Sequence, residues 1–90
     1  MKKEAERFST LDIYLSAFLR LSGLPTHLED LNGKIAFLFP SSSDLYRLLS
    51  NFNANTNVPV ADYVTAIKSL RGQMLSLKAE LLTRKGSRGE

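Results

Sequence analysis

No cysteine occurs in this chain of 90 residues, and there is one histidine. The first absence excludes disulfides and thiolate metal sites as supplements to a small core. It fits a reducing compartment. The second absence rules out a zinc site of the usual kind, because His27 has no second histidine to share a metal with. No apolar run approaches the roughly 18–20 residues that a membrane span needs. The first residues carry Lys2 and Lys3 with no apolar stretch behind them, so they do not read as a secretory signal. The expected location is the cytoplasm. Phosphate-binding loops, nucleophile elbows and dinucleotide fingerprints are also missing.

What remains is ordinary globular material. The hydrophobic fraction is 43% and the charged fraction 23%, too few charges for a disordered chain. Ninety residues support one domain with a modest core. The net charge of +3 is unevenly placed. Up to residue 59, lysines and arginines are balanced by acids. Beyond it, Lys68, Arg71, Lys78, Arg84, Lys85 and Arg88 outnumber Asp62, Glu80 and Glu90. Such asymmetry is usually a solvated surface and sometimes a polyanion contact.

Asn32-Gly33 is the strongest local signal. A two-residue type I′ turn needs positive φ at both central positions, and Asn-Gly meets that need at least steric cost. The turn pairs Leu28 with Phe37 and Asp30 with Ile35. Ile35, Phe37 and Phe39 then line one face, which should cover helices. The opposite face, with His27, Glu29, Leu31, Lys34, Ala36 and Leu38, reads as mixed and half wet. Asp30 is awkward on the apolar side; a longer loop or a bulge would relieve it.

Helices flank the hairpin. Ser9 and Asp12 fit a capping box, with Phe8 and Ile13 as its hydrophobic staple. Leu11, Tyr14, Leu15, Phe18 and Leu19 follow at helical spacing. Gly23 suits the left-handed position after the helix, Leu24 can pack back on the last turn, and Pro25 prevents continuation. Ser41 to Asp44 is a second capping-box match, opening a helix with Leu45, Leu48, Leu49 and Phe52. Val58 precedes a proline and should be extended, either as a short third strand or as a lead into the next helix.

The last helix starts near Pro59 or Val60 and is the longest. Val60, Tyr63, Ile67, Leu70, Met74, Leu77 and Leu81 alternate four- and three-residue steps, widened by Val64, Leu75 and Leu82. Gly72 is its weak point. The fold class is therefore α+β, in the order helix, β-hairpin, helix, possible short strand, long helix. The expected organisation is a flexible start over 1–7 and a globular domain over 8–74. A helical extension over 75–83 and a disordered basic tail over 84–90 complete it. Tyr14, Phe18, Leu28, Phe37, Phe39, Leu45, Leu49, Phe52, Tyr63, Ile67 and Leu70 are the expected core.

No group of residues assembles for catalysis. Glu29 and Asp30 are adjacent in a strand and point to opposite faces. Asp12 and Asp44 are explained as helix caps. The chain reads as a non-enzyme with no cofactor, metal or small-molecule substrate. Two surfaces stand out. A last helix of about 24 residues, roughly 36 Å long, exceeds the width of so small a core. Met74, Leu75, Leu77, Leu81 and Leu82 would then form an interface with a second copy or another protein; the alternative folds these leucines back on helix one. The other surface is a basic stripe of Lys68, Arg71, Lys78 and Lys85, continued by Arg84 and Arg88, which would contact nucleic-acid phosphates. Against it, no aromatic residue is interleaved for base stacking, and the bland reading is a solvated face.

The run from Phe8 to Leu19, F-S-T-L-D-I-Y-L-S-A-F-L, resembles the opening of a family of small bacterial and phage domains with no assigned function. Asn32-Gly33, Phe37-Leu38-Phe39, Leu48-Leu49 and Val58-Pro59 match its later parts, so the resemblance covers about residues 8–74. It implies a fold and offers no catalytic residues. It also implies that residues 75–90 are an addition beyond the family's usual end near Met74.

Overall fold

The computed structural model describes residues 7–88, with side chains described through residue 83. Its elements are β1 (Arg7–Thr10), α1 (Ile13–Leu21), β2 (His27–Leu31), β3 (Lys34–Pro40), α2 (Ser43–Asn53) and α3 (Val60–Arg88). The class is α+β, as the hairpin between helices requires.

The strands form one sheet in the order β1-β3-β2, with β3 antiparallel to both neighbours. β1 and β2 are therefore parallel to each other, separated by β3 and joined through α1. That is a split β-α-β arrangement. The expected hairpin register holds: Leu28 lies opposite Phe37, Asp30 opposite Ile35 and Leu31 opposite Lys34. Asn32 and Gly33 both have positive φ, 56° and 89°, as a type I′ turn demands. No bulge is needed for Asp30, because the residue is exposed at the tip. Its carboxylate Oδ1 accepts a hydrogen bond from the Gly33 N–H at 3.0 Å. The acid stabilises the turn that seemed to exclude it.

The third strand is not where the sequence placed it. Val58 makes no strand; it lies half-buried against the core, leading into α3. Phe8 and Ser9 form β1 instead, paired with Phe39 and Leu38. The cap of α1 is consequently Asp12, whose Oδ1 accepts from the Tyr14 and Leu15 N–H groups at 2.9 and 3.2 Å. Ser9 caps nothing, and the expected staple dissolves into strand pairing. Arg7, assigned to a flexible start, begins β1, while residues 1–6 lie outside the described residues. The second cap also moves by one residue. Ser42, not Ser41, caps α2, its hydroxyl accepting from the Leu45 N–H at 3.1 Å.

The end of α1 follows the sequence. Gly23 takes φ +102°. The Gly23 N–H donates to the Arg20 carbonyl at 2.9 Å, and the Leu24 N–H to the Leu19 carbonyl at 3.2 Å. This is a Schellman closure, and Leu24 packs back on the core.

Helices cover one face of the sheet. Phe37 and Phe39 on that face cluster with Ala17, Phe18 and Leu19 of α1, Leu45 and Leu48 of α2, and Leu70 of α3. Burying each phenylalanine contributes roughly 1.5–3 kcal/mol. The Phe18 and Phe52 rings meet at 5.5 Å, tilted by 51°, a favourable aromatic geometry. Leu28, Leu49, Phe52, Tyr63 and Ile67 pack around the cluster, half-buried. Tyr14 departs from the expected core and is 53% exposed. On the opposite face, His27, Glu29, Leu31 and Lys34 are exposed as expected, whereas Ala36 and Leu38 in the central strand are buried.

Candidate functional site

The long helix separates its residues into flanks. Successive residues turn about 100°. Tyr63, Ala66, Ile67, Leu70, Met74, Leu77 and Leu81 fall on one flank, and each is buried or half-buried. This flank meets α1 through its first part. The Tyr63 hydroxyl donates to the Tyr14 carbonyl at 2.9 Å, and Arg20 Nη1 donates to Gln73 Oε1 at 3.3 Å. The partners advance together along both helices, so α1 and α3 run in the same sense. Burial is the main cause that raises the Tyr63 hydroxyl above its ordinary value of 10.0, followed by the charges of Asp12 and Tyr14.

α1 ends at Leu21, and α3 continues well past Gln73. There the neighbour is the hairpin tip. Lys78, Leu81 and Leu82 line a depression of about 340 Å³ with Asp30, Gly33 and Ile35. The helix is continuous through Gly72 and extends to Arg88, five residues beyond the end expected at 83.

This geometry divides the five residues expected at an interface. Met74, Leu77 and Leu81 belong to the inward flank and are half-buried. Leu75 and Leu82 face out, 55% and 68% exposed. Leu75 and Leu82 are the exposed members of the group, and Met74, Leu77 and Leu81 the half-buried ones. Val64, read from the sequence as a widening of the inner stripe, is 41% exposed and joins the outward pair. Its eleven-residue step to Leu75 was the available signal, since eleven residues close three helical turns.

The predicted basic stripe lies on the same outward flank. Lys68, Arg71 and Lys78 are all exposed, and none makes an ion pair among the described residues. Asp62 and Glu80 project from the opposite side, about 160° round the helix. The side chains of Arg84, Lys85 and Arg88 lie outside the described residues.

Three carboxylates elsewhere make local contacts. Asp12 caps α1, Asp30 caps the hairpin turn, and Asp44 pairs with Arg47 at 3.3 Å on an exposed surface. His27 is exposed and lines an open depression of about 310 Å³ with Arg7, Pro25 and Pro40 among others. Among the described residues, no three His, Cys, Asp or Glu side chains gather to hold a metal ion. No helix among them is long and apolar enough to cross a membrane.

Neither a curated protein nor a solved structure matches the chain. Residues 5–76 match the family described as "Domain of unknown function (DUF5659)", a match over most of the length, and the chain belongs to that family.

Proposed function

We propose that this chain is a non-enzymatic interaction module that contacts protein through the second half of α3. The observation that carries this reading is the pair Leu75 and Leu82. They lie one heptad apart and exposed, on a helix whose inner flank is already occupied. Two leucines left in water on a regular spacing form an apolar strip that association would bury. Half-buried Leu77 and Leu81 lie beside it and extend the apolar surface towards the hairpin tip.

A second copy is the simplest occupant and is the first to test. The informative substitution is Leu82→Gln, not one at Leu77, because Leu82 is exposed and Leu77 is half-buried on the inward flank. Self-association would appear in sedimentation equilibrium of the full chain as a mass that rises with concentration. Leu82→Gln should lower that mass without changing the circular dichroism. A full chain that stays monomeric at about 0.5 mM, weaker than most specific dimers, would end the self-association form of this reading.

A second reading has its own observation. Lys68, Arg71 and Lys78 form a cationic line that makes no ion pair among the described residues, which supports contact with nucleic-acid phosphates. Fluorescence anisotropy with single- and double-stranded oligonucleotides tests it. Binding should weaken steeply with salt. No binding at low salt to either probe would remove it.

A further inference from the structure

The charge on the outward flank of α3 selects among its occupants. Resting on the interaction reading above, we propose that Val64, Lys68, Arg71, Leu75, Lys78 and Leu82 dock an acidic amphipathic helix of another protein. These residues span about 80° of the helix surface and about 27 Å of its length. Apolar and cationic positions alternate along that strip. All three Lys and Arg side chains described on α3 belong to it, and Asp62 and Glu80 do not.

A second copy fits this strip poorly. Parallel pairing in register sets Lys68, Arg71 and Lys78 beside their own counterparts. Antiparallel pairing brings them towards each other or towards the segment that carries Arg84, Lys85 and Arg88. Like charges at helical contacts are destabilising. Nucleic acid would satisfy the cations but leave Val64, Leu75 and Leu82 without a partner, and the strip holds no aromatic residue on which a base stacks. A helix with leucines along one seam and glutamates beside it satisfies both chemistries at once. Asp30 at the rim is one negative charge against the three cations of the strip.

The test uses the full chain and a labelled synthetic helix of about three heptads, with leucine at a and d and glutamate at e and g. The glutamates also keep the peptide from pairing with itself. A second peptide carries lysine in place of glutamate, and a single-stranded oligonucleotide is the third probe. Anisotropy should show saturable binding of the acidic peptide and none of the basic one. Leu75→Gln with Leu82→Gln should weaken that binding about tenfold or more, as for residues at the centre of an interface. Reversing the three cations (Lys68→Glu, Arg71→Glu, Lys78→Glu) should switch preference to the basic peptide, with the circular dichroism unchanged.

Absence of acidic-peptide binding up to about 1 mM, the weak limit of specific association, overturns the proposal. If sedimentation then shows a dimer that Leu82→Gln dissociates, the interaction reading stands with a second copy as occupant. If it shows a monomer as well, both readings fall. Oligonucleotide binding that ignores the leucine substitutions, without peptide binding, assigns the strip to nucleic acid and also overturns the proposal.

Discussion

Up to Met74, α3 lies against α1 and the core. Beyond it, the helix keeps the same heptad spacing, but the described element beside it is the hairpin tip. In the first half, Leu70 is fully buried, and Tyr63, Ala66, Ile67 and Met74 surround it. In the second half, the inward leucines are only half-buried and two others are exposed. Identical side chains at equivalent spacing thus have different roles, set by what the rest of the fold places next to them. The first half stabilises the domain. The second half carries the exposed pair Leu75 and Leu82.

The sharpest way to break this contrast is to truncate one leucine in each half. Leu70→Ala should cost about 2–5 kcal/mol, the range for a core leucine leaving a cavity. Leu82→Ala should change the stability of the monomer by no more than about 0.5 kcal/mol, as for a surface position. Urea denaturation of both variants at low protein concentration measures the difference. Similar costs for the two would mean that the far half is integral to the core, and the contrast would fail.

A smaller effect is expected at the tie between α1 and α3. Tyr63→Phe removes the hydrogen bond to the Tyr14 carbonyl and should cost about 1 kcal/mol. Because the Tyr63 hydroxyl is raised above 10.0 in the folded state, folding favours its protonated form. Its contribution is fully present below about pH 10, the unfolded value, and is lost as pH rises through the folded one. The sign agrees with the geometry, since only the protonated hydroxyl can donate. Ultraviolet difference titration of the chain against Tyr63→Phe should show a late Tyr63 step, above pH 10.0. Tyr63→Phe should abolish that late step and flatten the alkaline loss of stability.

Much of this architecture was legible in the sequence, for reasons that differ by element. Asn32-Gly33 determined the hairpin and its register because few conformations suit that dipeptide. Gly23-Leu24-Pro25 marked the end of α1 for a similar reason. β1 was not legible. Arg7–Thr10 has one apolar residue in four, no measurable alternation, and exists through pairing with Phe37–Pro40. The same letters also satisfied a helix cap, and local chemistry alone did not separate the two. Tyr14 misled because its spacing to Phe18 suggests a shared face. α1 instead buries Ser16 and Ala17 with Phe18 and Leu19, small residues that let the helix approach its neighbours. The leucines of α3 were recognised as a group, but their division depended on where α1 stops, which heptad spacing does not record.

The mildest probe lies at Gly72, near the boundary between the two halves. A glycine inside a helix costs roughly 1 kcal/mol relative to alanine, because its backbone is freer in the unfolded chain. At Gly72, a Cβ would meet nothing within 4 Å, so the gain from alanine is opposed by no clash. Gly72→Ala should therefore stabilise the chain by about 0.5–1 kcal/mol. It should also raise amide-exchange protection from residue 73 onwards, where helix is held chiefly by continuity with the first half. If global stability rises while protection of the far half does not, the two halves open separately at Gly72. The outward strip would then be continuous only while the far half is closed. If both rise together, α3 is one cooperative rod, and its outward strip is preformed.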